Sequence, residues 1–397
     1  MLNLISYLLV GIASLLSIIV AVFVIEVISA IALARPEGSL EPGKHLPRRI
    51  AVLVPAHNES AGLLPTITDI KAQLYAGDRL LVVADNCSDD TAAVAASAGA
   101  EVIERRAADK IGKGYALDWG FRHLALAPPD VVIVIDADCR LAAGTIDQLA
   151  VVCATMHRPV QALDLMTAPE DSTINHRVGE FAWRVKNWVR PLGLMALKLP
   201  CQLMGTGMAF PWDVVRSADL ASGRIVEDLK LGLDLALSGS PPLFCPSAVV
   251  TSKFPVSVKG AEGQRERWEY GHINSILTLA PRLFYLAILR GNLGLLALTL
   301  DMAIPPLTVL GLSVIATVAL AGLAVFYGCS SAALMIGSVT FAAFVLAVFL
   351  AWLKYGRDIL PPRSFLLIVV YLFGKLRIYR RFVSRRSAPR WIRTDRN

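Results

Sequence analysis

An α/β domain built on a largely parallel sheet and carried by transmembrane helices is the architecture the sequence predicts. Three observations predict it. Between Arg48 and about Val256, strand-like and helix-like apolar periods alternate, as in a parallel sheet covered by helices on both faces. Outside that stretch run apolar segments long enough to cross a bilayer. Hydrophobic residues make up 55% of the 397 residues against 18% charged, an excess that argues against a wholly soluble chain and against intrinsic disorder.

Within the α/β stretch, residues 50–54 read as a buried strand, 61–74 as a helix, 79–84 as a second strand and 92–98 as a small-residue helix. Val102-Ile103 is a short strand, 116–126 a helix and 131–135 a strongly apolar strand. Ligands of such sheets bind beyond the carboxyl ends of the strands, and polar residues gather there. Pro55-Ala56-His57-Asn58-Glu59 follows the first strand, Asp85-Asn86-Cys87-Ser88-Asp89-Asp90 the second and Asp136-Ala137-Asp138 the last.

The membrane segments come next. From Leu2 to Ala34 the only ionisable side chains are Tyr7 and Glu26. Ala32-Leu33-Ala34 looks like a signal-peptidase site, but no Lys or Arg precedes the run and it is about twice the length of a signal core, which favours an anchor. Glu26 is expected to face another helix or the interface. Residues 307–327 and 331–353 are further spans around a Gly328-Cys329-Ser330 turn, while 292–303 is interrupted by Asp301. Residues 269–290, with Arg282 and Arg290, read as an amphipathic helix at the membrane face, and 364–373 as an interfacial or re-entrant helix. Nothing basic precedes the first span, whereas Arg35, Lys44, Arg48 and Arg49 follow it, and Lys354, Arg357 and Arg363 follow the last. The positive-inside rule therefore puts 35–290 and the C terminus in the cytoplasm. Six cysteines with no C-x-x-C pair and no zinc-spaced histidines suit reduced thiols there.

Charge sharpens the picture. The net +7 sits in the last 23 residues, Lys375 to Asn397, which hold nine Lys and Arg against one Asp and leave the rest of the chain close to neutral. A basic tail interspersed with aromatic residues predicts anionic lipid headgroups as its partner. No nucleic acid is expected, since a nucleic-acid domain spreads its basic face over a folded surface.

Asp136 and Asp138, alternating at a strand end, are able to meet one hard divalent cation, Mg2+ or Mn2+; taken alone the pair reads equally well as turn-capping aspartates. Gly112-Lys113-Gly114 suits a diphosphate without being a P-loop. Val226-Glu227-Asp228 heads a helical stretch, where Asp228, taken alone, reads first as an N-cap.

In chain order, the Asp85 loop, Asp136-Ala137-Asp138, Val226-Glu227-Asp228 and Gln264-Arg265-Glu266-Arg267-Trp268, a Q-x-x-R-W, together resemble the family-2 inverting glycosyltransferases, in particular the membrane-integrated, cellulose synthase-like branch that includes exopolysaccharide enzymes. The resemblance implies a GT-A, Rossmann-like cytoplasmic domain over 48–262, a Q-x-x-R-W helix over 263–290, two spans within 291–353, and an interfacial helix with the basic tail over 354–397, after the 1–34 anchor. It implies donor-nucleotide contacts from Pro55, Glu59, Asp85, Lys113, Asp136, Gln264 and Arg267, metal ligation by Asp138 and Asp136, and Asp228 as the general base. Trp268, Glu227, Gly205 and Thr206 would meet the acceptor. Val226 stands where processive members often have Thr.

The implied reaction is inverting, metal-dependent transfer from a nucleotide-sugar, UDP-linked by expectation, to a lipid-linked or glycan acceptor. Three spans are few for a polymer channel, so single transfer onto a lipid-linked acceptor at the inner (plasma) membrane is the expected reading. A processive β-polysaccharide synthase and a ceramide-like glycolipid glucosyltransferase are the competing ones. Outside enzymes stands a nucleotide-sugar sensor, against which every expected carboxylate is present.

Overall fold

The computed structural model describes residues 2–34, 49–169, 172–221, 226–255 and 258–362. Arg35, Lys44, Arg48, Arg363, the expected helix at 364–373 and the basic tail lie outside the described residues. In chain order the elements are α1 (Leu2–Ala32), β1 (Ile50–Ala56), a 3-10 turn (Ser60–Leu63), α2 (Leu64–Lys71), β2 (Arg79–Asp85), α3 (Thr91–Ser97), β3 (Glu101–Arg105) and α4 (Lys113–Leu124). Then follow β4 (Val131–Val134), β5 (Arg140–Leu141), α5 (Thr145–Met156), β6 (Val160–Thr167), α6 (Ile174–Arg184), a π-helical turn (Val185–Val189) and α7 (Arg190–Ala196). The chain continues through β7 (Met208–Pro211), α8 (Trp212–Val215), α9 (Glu227–Leu237), β8 (Leu243–Lys253), α10 (Val258–Leu289), α11 (Leu293–Met302), α12 (Leu307–Phe326) and α13 (Ala332–Tyr355).

Two compact units result. One holds residues 49–167 and 199–271 and contains a single eight-stranded sheet of order β3-β2-β1-β4-β7-β6-β8-β5. Its first four strands are parallel, whereas β7 runs antiparallel to β4 and β6, and β5 antiparallel to β8. The sheet is thus mostly parallel but mixed. Alternation along β1 sends Val52 and Val54 to one face, against Ile67, Ile70, Ile146 and Leu149 of α2 and α5. Ala51 and Leu53 go to the other, against Leu117, Phe121 and Leu124 of α4. Covering both faces is why these strands read as unbroken apolar runs. Gly120 lets α4 lie close: a Cβ there would come within 2.5 Å of Leu53 Cδ1.

The second unit holds the described residues of 2–34, 168–198 and 272–362. Residues 168–198 fall within the 48–262 stretch expected to form one cytoplasmic piece, yet they pack with the apolar helices. A Cβ on Gly193 of α7 would lie 2.0 Å from Glu26 O of α1, so the two backbones touch. Arg190 supplies a reason for the placement: its Nε donates to Glu26 Oε2 at 2.9 Å and its Nη2 to Asp301 O at 2.6 Å and Asp301 Oδ1 at 2.5 Å. Of the two places expected for Glu26, it takes the one facing another helix.

Among the described residues, four helices are long and apolar enough to cross a membrane: Leu2–Ala32, Glu266–Leu289, Leu307–Phe326 and Ala332–Tyr355. The second was expected at the interface. It is the least hydropathic, at 1.3 against 2.5 to 3.0 for the others. Ser330 N–H donates to Ser6 Oγ at 3.1 Å, and Lys354 Nζ to Ile31 O at 3.2 Å, so α1 and α13 run parallel. None of the six cysteines is in a disulfide.

Candidate active site

The carboxyl ends of β1, β2 and β4 carry the loops the sequence singled out. His57 Nδ1 lies 2.7 Å from Asp85 O, Asn58 Oδ1 accepts from Ser88 N at 2.7 Å, and Thr91 Oγ1 accepts from the N–H groups of Glu59 and Ser60 at 2.9 and 2.8 Å. Pro55 and Glu59 are half-buried on this edge. The first two loops are thereby knitted into one surface, with Asn58, Ser60 and Asn86 at positive φ.

Asp85 has a partner that sequence reasoning missed. Arg105, opposite it in the β2–β3 register, pairs with its carboxylate; both residues are 7% exposed. Burial raises the Asp85 pKa, and Arg105 opposes that shift. The guanidinium also donates to Lys110 O at 2.8 Å and lies over the Tyr115 ring at 5.3 Å. A charged residue ending the short strand after the Asp85 loop was the available signal.

β4 ends at Val134, so Asp136 and Asp138 lie in the turn beyond it rather than on the strand. Strand alternation therefore does not bring their carboxylates together as expected; the turn has to. That turn is braced from behind. Asp136 N–H donates to Thr206 Oγ1 at 3.0 Å, and Cys139 Sγ is 3.4 Å from the same hydroxyl. Gln161, buried in β6, donates to Thr206 O at 2.9 Å and accepts from Met204 N at 2.8 Å. Thr206, expected at the acceptor, supports the Asp136 turn. Burial pushes the Cys139 thiol well above its ordinary value, as for an inert core cysteine.

Lys113 draws these parts together. It opens α4 after Gly112, whose φ is 140°. Its Nζ donates to Gly205 O at 2.7 Å and pairs with Asp136 Oδ1. A Cβ on Gly205 would lie 3.3 Å from Asp228 Oδ2 and 3.8 Å from Lys113 Nζ, so the base candidate sits at the same spot. Burial disfavours the ammonium, but Asp136, Glu227 and Asp228 outweigh it and hold its pKa above the usual lysine range. Glu227 is pushed up to about 8, by burial and then by Asp228, with Lys113 pulling the other way.

Asp228 is not the N-cap. Val226 holds that position without a side-chain hydrogen bond, and Glu227 and Asp228 occupy the first turn, where the helix dipole favours carboxylates. Gln264, Arg267 and Trp268 lie on α10 at i, i+3 and i+4, hence on one helix face. Gln264 is buried and the other two are half-buried; burial lowers the Arg267 pKa. The structure thus brings together Lys113, Asp136, Gly205, Glu227 and Asp228, with Asp138 next along the turn, and keeps Asp85 with Arg105.

Comparison with known proteins bears on the fold and the family. A "Mannosyltransferase PcManGT from Pyrobaculum calidifontis in complex with GDP-Man and Mn2+" superposes with a TM-score of 0.52 at 16% identity, over 88% of this chain and 99% of that one, which shows a shared GT-A fold. An uncharacterised glycosyltransferase of Mycobacterium bovis is 40% identical over 100 residues, 25% of this chain and 41% of its own. Glucosyl-3-phosphoglycerate synthase of Mycobacterium tuberculosis is 37% identical over 108 residues, 25% of this chain and 32% of its own. These matches span less than half the length of the curated relatives. The model for "Glycosyltransferase like family 2" matches residues 47–271, more than half of the chain and the whole of the sheet-bearing unit, and the chain therefore belongs to that family.

Proposed function

We propose that this protein is a membrane-integrated, inverting, metal-dependent glycosyltransferase. It moves a hexosyl group from a UDP-sugar to a lipid-linked acceptor and forms a β-linkage, in exopolysaccharide or cell-envelope glycan assembly at the inner membrane. One observation carries the reading: Asp228 and Lys113 meet at Gly205, beside the Asp136-Ala137-Asp138 turn. In a single displacement the base works on the face of the anomeric carbon opposite the leaving diphosphate, so the two groups have to border one sugar-binding space from opposite sides.

The residues fit a divalent cation. Among the described residues no group of three or more His, Cys, Asp or Glu surrounds a metal position, and Mg2+ or Mn2+ at nucleotide sites is held by one or two carboxylates with phosphate and water completing the shell. Asp136 and Asp138 supply that number. When bound, the cation would offset charge on the leaving nucleoside diphosphate. Lys113 and Arg267 would add positive charge to the diphosphate, Asp85, held by Arg105, would receive the nucleoside, and Asp228 would take the hydroxyl proton from the acceptor.

The apolar helices support a lipid-linked acceptor. The name of the mycobacterial synthase favours a second reading, a small phosphorylated acceptor. Membranes incubated with radiolabelled nucleotide-sugars, then divided into lipid-extractable, polymeric and water-soluble product, test both. Label in the lipid extract is expected. A long polymer or a water-soluble product would overturn the acceptor assignment, and no transfer from any donor would overturn the activity.

A further inference from the structure

Lys113 occupies the ground that the donor reading assigns to a cation. Its ammonium pairs with the Asp136 carboxylate, donates to Gly205 O at 2.7 Å, and lies near Gly205 together with Asp228 Oδ2. Lys113 thus lies with Asp136 and Asp228 at one spot. It is also the first residue of the twelve-residue α4, whose N-cap, Gly112, provides no side-chain acceptor. The Lys113 side chain therefore springs from the end of a helix that attracts anions. Its carboxylate partner is in place, and a phosphate bound at this helix end would come within reach of the same flexible stem.

We propose that Lys113 is a positioning residue that exchanges partners. Without nucleotide it is the internal counter-ion of Asp136 and keeps a divalent cation weakly bound; the diphosphate of an arriving donor draws it off, so that cation and nucleotide enter together. This rests on the donor reading above. The physical argument is competition for one carboxylate. A hard cation with only two protein carboxylates keeps much of its water and binds loosely. A lysine already tied to Asp136 and Gly205 O weakens that binding further, since it must move first. Diphosphate oxygens reverse both effects, by completing the metal shell and by giving Lys113 a new anion. Because binding couplings are reciprocal, the cation must tighten nucleotide binding by the same factor.

The test is Mn2+ binding to the full-length protein in lipid nanodiscs, read from the electron paramagnetic resonance of free Mn2+, with and without UDP. For the wild type, UDP should tighten Mn2+ binding by about tenfold or more. Lys113→Met should bind Mn2+ without nucleotide about tenfold more tightly than the wild type and respond less to UDP. Lys113→Arg, which keeps the charge, should stay weak without nucleotide. A lysine with a merely structural role would not raise metal affinity when removed. Nucleotide-free affinity of Lys113→Met equal to or below that of the wild type would overturn the proposal. If Lys113→Met does not fold, 13C-methylated lysines of the wild type report instead: the Lys113 signal should move on adding UDP with Mn2+, and an unmoved signal overturns the exchange. A wild type that binds UDP and Mn2+ while Lys113→Met gains nothing sinks only the lysine proposal. A wild type that binds neither sinks the donor reading, and the proposal falls with it.

Discussion

Asp228 and Lys113 meet at a residue with no side chain. Gly205 has φ of 97°, and an added Cβ would crowd Asp228 Oδ2 at 3.3 Å, so Gly205→Ala is expected to strain the backbone and lower kcat with the fold retained. Asp228→Asn removes the base and should cut donor turnover by about 10²- to 10⁴-fold while leaving UDP affinity near the wild-type value; unchanged turnover would refute the assignment. Glu227 gives a pH signature. Its carboxyl is raised from 4.5 to about 8, so between those values the folded protein keeps a proton that the unfolded chain has lost. Stability should therefore fall as pH rises through that window. Glu227→Gln should flatten the fall in thermal midpoint of the nucleotide-free protein, and an identical slope in the variant would count against it. Asp136, Asp138 and Asp228 were legible as residues because carboxylates at strand ends and helix starts are conspicuous. Arg105 and Gln161 were not, since each works only through a neighbour distant in sequence: Asp85 across β2 and β3, and Thr206 beyond α7.

At the scale of elements, the apolar helices are joined by one buried charge cluster. Glu26 is 1% exposed and Arg190 and Asp301 6% each. Removing Arg190 leaves two carboxylates without their cation, so Arg190→Met should destabilise the protein by about 3–5 kcal/mol. Combining it with Glu26→Gln and Asp301→Asn should recover much of that loss, as measured by thermal unfolding in detergent; no recovery would mean the cluster is not an electrostatic unit. Gly193→Ala should separate α1 from α7, with a cost of about 1–3 kcal/mol for overpacking. Glu26 and Asp301 stood out in sequence because each interrupts an apolar run. Arg190 did not, because its segment also reads as an ordinary amphipathic helix and only the tertiary pairing explains the charge.

For the whole molecule, the proposed sidedness rests on the positive charge that follows the first apolar helix, and the parallel α1 and α13 put the turn before α13 at the end of α1 opposite the one from which the chain enters the α/β unit. Cys329 lies in the turn before α13 and Cys87 on the catalytic edge, and both are half-buried. In single-cysteine variants, a membrane-impermeant maleimide should label Cys87 only from the cytoplasmic face and Cys329 only from the opposite one. Labelling of both from one face would overturn the expectation that α1, α12 and α13 cross the membrane with α10 at the interface.

The sequence by itself determined the α/β class, the first four parallel strands, the three most apolar helices and the family motifs, because period, apolar run length and short-range spacing are local properties. Only the tertiary structure decided that β7 and β5 run antiparallel, that residues 168–198 join the apolar helices, and that Lys113 bridges Asp136 and Gly205 beside Asp228. Strand direction, the partner of a buried charge and the meeting of residues over ninety positions apart depend on how the chain returns to itself, and no local pattern records that.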